Sequence, residues 1–148
     1  MTHFREKVHA APWVYISTAL VIPASLIVFL PINPWVGIGA AIVLYGLIVL
    51  ALVVAAPTIE VTETEFVAGR ARIERVHLEN PLAFRGQEAT LERGQRLDAR
   101  AWLVIRGWVD PVVRVTIADP DDSTPYWLVS TRRPDDLVAA LAKDQKHA

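Results

Sequence analysis

Between Val8 and Ile59 the chain places no Asp, Glu, Lys or Arg, and its single histidine there is His9. A helix rises about 1.5 Å per residue and crosses the hydrocarbon of a bilayer in about 20 residues. The stretch is therefore too long for one buried core helix and long enough for two membrane spans. The remainder reads as a domain hung on a membrane hairpin.

Residues 1–12 form a polar lead carrying Arg5 and Lys7, and Pro12-Trp13 opens the first apolar run. The hairpin is expected over 13–57, with spans at about 13–30 and 36–56. A cleaved signal peptide would also start basic and turn apolar. Against cleavage stand the length of the run and its sequel, Pro31-Ile32-Asn33-Pro34-Trp35, which has no small-residue cleavage pattern. Pro31 and Pro34 break helix and let the chain reverse in a short loop. Trp13, Tyr15 and Trp35 suit the headgroup level. Pro23 should kink the first span, which neighbouring groups in a membrane tolerate. Gly37 and Ala41 offer a small-residue strip for close helix contact, read as packing within the hairpin rather than as a dimer motif. The short loop has no Lys or Arg, whereas Arg5 and Lys7 precede the first span and Arg70, Arg72 and Arg75 follow the second. The positive-inside rule then puts both termini in the cytoplasm of a two-pass cell-membrane protein.

Residues 58–148 supply a domain of about 90 residues, close to the size at which a single core needs outside support. From residue 60 onward 13 Lys/Arg face 15 Asp/Glu, a balance that does not fit nucleic-acid binding. With no cysteine, disulfides, thiolate nucleophiles and Cys-ligated metals are excluded. The domain reads as a small antiparallel meander. Ile59 and Val61 alternate with polar neighbours, Thr62 to Glu65 reads as a turn, and Phe66 to Ala68 leads to a second turn at Gly69-Arg70. A further strand starts at Ala71 and is carried through Val76 and Leu78. Pro81 to Arg100 is irregular, with a short helix over Glu88 to Arg93 ended by Gly94 and a turn capped by Asp98. Trp102 to Ile105 is a strand. Val112 to Ile117 and Tyr126 to Ser130 pair as a hairpin across a turn-rich Asp119 to Pro125. A last helix starts at Pro134 with Asp135 and Asp136 in its first turn, shows an apolar stripe of Leu137, Val138 and Leu141, and is followed by Lys143 and Lys146. It should pack across the sheet.

Candidate site residues are few. Asp119, Asp121 and Asp122, with Ser123 and Thr124, supply the oxygen ligands a hard cation takes, but Asp-Pro-Asp-Asp is also turn chemistry and the spacing is not that of an EF-hand. Arg70, Arg72 and Arg75 could meet anionic lipid, and Arg132 and Arg133 could hold a headgroup, phosphate or partner; salt bridging to Glu74, Glu79, Asp135 and Asp136 accounts for them more simply. His3, His9, His77 and His147 lack ligand spacing, Ser130 lacks a nucleophile elbow, and no catalytic residue or cofactor site is expected. Tyr126 and Trp127 should point to opposite faces of their strand.

The order of parts is a two-helix hairpin, a strand-rich unit opening Ile59-Glu60-Val61-Thr62, and the run Asp119 to Pro134 before a terminal helix. It resembles the actinobacterial family of small two-helix integral membrane proteins classed as a domain of unknown function (DUF3093 type). The sheet with one C-terminal helix also resembles the bacterial pleckstrin-homology-like domains. The expected fold is a membrane α-helical hairpin plus a small α+β domain, an antiparallel sheet with a C-terminal helix. Its expected role is non-enzymatic: an accessory or scaffold in the inner membrane that docks a membrane protein partner or forms a homo-oligomer. The alternative is an enzyme or metal-dependent protein acting on lipid headgroups or envelope precursors through Asp119, Asp121 and Asp122.

Overall fold

The computed structural model describes residues 1–143, so Lys146 and His147 lie outside the described residues. The chain divides into two compact units. One is His9–Ala56, and the other joins Met1–Val8 to the segment from Pro57 onward.

His9–Ala56 is helical. Its first apolar run is α1, Pro12–Thr18, and α2, Val21–Phe29, and its second is α3, Pro34–Val54. By length and composition Pro12–Phe29 and Pro34–Val54 are each sufficient to cross a membrane. The kink expected at Pro23 appears as a break at Ala19-Leu20. Proline has no N–H to offer the carbonyl four residues back, and the bonds tighten there, with Leu20 N–H donating to Ser17 O and Ile22 N–H to Ala19 O. Asn33 caps α3, its side-chain oxygen accepting from Trp35 N–H at 2.9 Å, and Pro34 holds the first helical position. The small strip does what its spacing implies: Gly37 and Ala41 are buried, and a Cβ on Gly37 would stand 3.3 Å from the Phe29 Cβ.

The other unit holds two four-stranded sheets among the described residues. The first is a meander of β1 (Thr2–Lys7), β2 (Thr58–Thr62), β3 (Glu65–Ala68) and β4 (Ala71–Glu74), all antiparallel. This corrects the reading of 1–12 as a lead. Phe4 and Val8 face inward while Arg5 and Lys7 do not, and β1 pairs with β2 so that Val8 N–H donates to Pro57 O at 2.9 Å. The hairpin is thus an insertion between two neighbouring strands. β3 and β4 meet at a two-residue turn where Gly69 takes a positive φ of 66°, the handedness that matches strand twist.

A second correction concerns β4, which does not run on through Val76 and Leu78. A single 3-10 turn, Arg75–His77, carries the chain into the other sheet as β5, Leu78–Phe84. Its Pro81 disguised it. Proline is admitted here because β5 is an edge strand with a register shift between Glu79 and Leu82, where Asn80 adopts a φ of 45°. The helix α4, Gly86–Arg93, ends at Gly94 as expected.

The second sheet runs β5-β7-β8-β6, with β6 at Trp102–Val104, β7 at Val112–Ile117 and β8 at Tyr126–Ser130. It is mixed rather than antiparallel, because β6 pairs with β8 in parallel. Residues 105–111 pass over the end of β8, held by Arg106 N–H on Ser130 Oγ and by Thr131 N–H on Pro111 O. That passage puts β6 on the far side of β8 from β7.

The main core gathers the inner faces of both sheets, including Phe4, Ile59, Val61, Phe66, Val113, Val115 and Trp127, with Leu137 and Leu141 of α5 (Pro134–Ala142). Trp127 is the inward member of its pair, 5.5 Å from the Phe66 ring by centroids. Tyr126 joins a smaller cluster on the other face with Ala89, Val112 and Leu128, where α4 packs. Burial on both faces explains why β8 reads as a nearly continuous apolar run, whereas β7 keeps Arg114 and Thr116 on its partly exposed face.

Candidate functional site

Alternation along the strands of the first sheet sends one set of side chains to the core and leaves a charged set outside. Pairing aligns that outer set in rungs. One rung runs Arg5, Glu60, Val67, Arg72. Two residues nearer the hairpin connections, Lys7 pairs with Thr58, and Gly69 N–H donates to Thr58 O at 2.9 Å, bringing the Gly69-Arg70 turn to the same level. At the opposite end Glu65 pairs with Glu74, and Glu63 stands in the β2–β3 turn, 2.8 Å from the Met1 amine. The sheet is therefore basic where the chain leaves at Val8 and returns at Pro57, and acidic at its other end. At about 3.3 Å per residue the Glu65–Glu74 rung lies about 13 Å from the level of Lys7, more than a physiological screening length of about 8 Å, and about 7 Å from the rung of Arg5 and Arg72.

The basic end is open. Arg70 and Arg72 are exposed. The Arg5 side chain is 72 % exposed and reaches Glu60 only at 4.0 Å. The sequence does not single out Arg5 and Lys7 as site residues, because Phe4-Arg5-Glu6-Lys7-Val8 runs three charged residues together and shows no apolar alternation.

Arg75 does not join them. Buried, it donates to Thr62 O at 3.0 Å and, through Nη2, to Ala140 O and Leu141 O at 2.8 and 3.1 Å. It thus holds the last-turn carbonyls of α5, where a cation complements the helix dipole. Arg132 and Arg133 lie along the β1 edge. The Glu6 carboxylate accepts from Arg132 N–H at 3.0 Å and from the Thr131 hydroxyl. Arg133 stacks 4.6 Å above the Phe4 ring and donates to Arg5 O at 2.8 Å. The structure therefore brings Arg133 beside Arg5, leaves Arg70 and Arg72 at the opposite edge of the same sheet, and removes Arg75 to the interior.

A groove of about 790 Å³ opens at the acidic end, lined by Glu63, Glu65, Glu74, Arg75, Glu79 and Leu141 among others. The aspartates of the β7–β8 connection make turns: Asp119 accepts from Asp121 N–H at 2.9 Å and Asp122 from Thr124 N–H at 2.8 Å. The Thr124 N–H holds the Asp122 carboxyl below its ordinary range. Among the described residues no three His, Asp or Glu side chains gather as a metal would require.

One charged site was not legible beforehand. Glu92 of α4 is 1 % exposed, and its carboxylate takes Arg114 at 2.8 Å and Arg96 at 3.3 Å. Arg114 also lies 5.3 Å from the Phe84 ring centroid. This latch fastens α4 to β7. Glu92 and Arg96 stand on either side of the helix end at Gly94, and only the fold brings Arg114 across to bury the carboxylate.

A family model described as a protein of unknown function matches residues 3–141, from β1 through α5. No curated protein and no solved structure matches the chain.

Proposed function

The chain belongs to the DUF3093 family, proteins of unknown function, and from that premise we propose that it is a two-pass membrane accessory or scaffold protein without enzymatic activity. Its strand-rich unit sits on the cytoplasmic side and docks a membrane protein partner or further copies of the chain. The observation that carries this reading is the insertion of the hairpin between β1 and β2, with Val8 N–H on Pro57 O. Adjacent exit and return points fit two spans that begin and end on one face of a bilayer, and the arginines and lysine beside those points fit the cytoplasmic face. Two four-stranded sheets closed by one terminal helix also support a pleckstrin-homology-like kinship, with the parallel β6–β8 pair as an elaboration.

The polar chemistry of the unit supports a docking role over a catalytic one. Glu92, Arg75, Asp98 and Asp122 are spent on holding elements and turns together, with Asp98 kept below its ordinary range by its bonds to Arg100. The test is gentle extraction of the full chain from its own membrane, followed by mass measurement of the intact assembly. The expected result is a defined complex with a second membrane protein or with further copies. A lone chain under every gentle extraction condition contradicts the scaffold reading.

A further inference from the structure

We propose that the hairpin end of the first sheet is a binding surface for anionic phospholipid headgroups, formed by Arg5, Lys7, Arg70 and Arg72. The proposal rests on the membrane reading above and extends it to a ligand class and a set of residues. Three observations carry it. The four cations come from two strands, β1 and β4, and the β3–β4 turn, yet pairing through β2 and β3 sets them within two rungs of each other on one outward face. Glu60 is the carboxylate in their midst, and its approach to Arg5 is 4.0 Å, so a net positive charge remains. The chain connections at Val8 and Pro57 lie at this same end, so a bilayer holding the hairpin is tethered within a few residues of Lys7 and Thr58.

The distribution also sets an orientation. The carboxylates Glu65 and Glu74 stand two residues beyond Arg5 and Arg72 and four beyond the level of Lys7, with Glu63 in the turn at that end, so an anionic leaflet at the hairpin end repels them least. A sheet so polarised turns its basic end to the lipid and its acidic groove to the cytoplasm. The recognition is of surface charge, carried by side chains that have no buried pocket, so it does not discriminate between anionic headgroups of equal charge. Each net basic charge near an anionic surface shifts the docked-to-free ratio by roughly five-fold, and three by about a hundred-fold.

The absence of cysteine allows single spin labels to be placed in the full chain. Val67→Cys reports the rung between Glu60 and Arg72, Glu65→Cys the acidic end, and Leu44→Cys the middle of α3. Each labelled chain is reconstituted into nanodiscs of phosphatidylcholine alone or with about a third phosphatidylglycerol, and its accessibility to a water-soluble nickel chelate is compared with that to oxygen. At low salt the Val67 label should lose nickel accessibility several-fold in the anionic discs only, and regain it in 1 M salt. It should also regain it in the variant Arg5→Gln, Lys7→Gln, Arg70→Gln, Arg72→Gln, while the Glu65 label stays exposed throughout. If that variant does not fold, the lipid-charge and salt arms decide alone. An accessibility at Val67 that ignores lipid charge overturns the proposal and assigns the basic end to an acidic protein surface. Replacement of phosphatidylglycerol by phosphatidylserine at equal charge should leave the result unchanged, and dependence on one headgroup overturns the charge mechanism. A Leu44 label open to nickel in every disc overturns the membrane reading itself, which separates that failure from failure of the lipid surface.

Discussion

In the helical unit Ile16, Ile27, Ile42 and Trp35 are 73, 74, 69 and 78 % exposed, whereas in the strand-rich unit Ile59, Val61, Phe66 and Leu137 are fully buried. The small residues reverse the pattern, since it is Gly37 and Ala41 that are buried between the helices. The strand-rich unit is held by removing apolar surface from water, at about 25 cal/mol per Å². The helices make close contact only along a narrow strip, and their large side chains are left exposed, as the proposed crossing of a bilayer would have them. A substitution of one chemical type should therefore act in opposite ways in the two units.

The largest effect is expected from Leu137→Asp, which puts an unpaired carboxylate into the main core. Lost packing and charge burial together should cost at least about 4 kcal/mol and unfold the strand-rich unit, seen as rapid proteolysis of the detergent-solubilised chain. Proteolysis no faster than in the parent would show that α5 is not docked as described. Glu92→Ala should cost about 2 kcal/mol, less than the 3–5 kcal/mol of a fully buried pair because Arg114 and Arg96 keep contact with water. Hydrogen exchange should localise that loss to α4 and β7. In the helices the sensitive position is a small one: Gly37→Leu should force the helices apart at about 1–3 kcal/mol, lowering the thermal midpoint in detergent, while Ile42→Leu should do nothing measurable. The smallest effect belongs to Asp122→Ala, within about 0.5 kcal/mol at neutral pH. Because the Thr124 N–H lowers this carboxyl below its ordinary 3.8, its contribution is present above pH 3.8 and is lost as pH falls through the lowered value. Parent and variant should therefore converge in acid.

What could be read from the residues alone divides along physical lines. The hairpin, the turns at Thr62 to Glu65 and Gly69-Arg70, the β7–β8 pair and α5 all rest on local signals: hydropathy, alternation, turn residues and a proline at a helix start. Two elements were hidden. β5 carries a proline that a sequence reading demotes, and a bulge with a left-handed Asn80 is what admits it. β1 is separated from its partner by the whole hairpin, and pairing across such an insertion leaves no local trace. The hidden β1 also concealed half of the basic surface, since Arg5 and Lys7 join Arg70 and Arg72 only when β1 is paired. Arg75 showed the converse. Its nearness in sequence to Arg70 and Arg72 grouped it with them, but the 3-10 turn after β4 carries it inward to the α5 carbonyls.

The proposed topology has the helical unit crossing a bilayer with the strand-rich unit on the cytoplasmic side. In the naturally cysteine-free chain, Asn33→Cys marks the turn between α2 and α3, and Asp121→Cys marks the exposed β7–β8 turn. A membrane-impermeant maleimide applied to intact cells should label Asn33→Cys at once and Asp121→Cys only after permeabilisation. Labelling of Asn33→Cys only after permeabilisation, or of both positions from the same side, would contradict it.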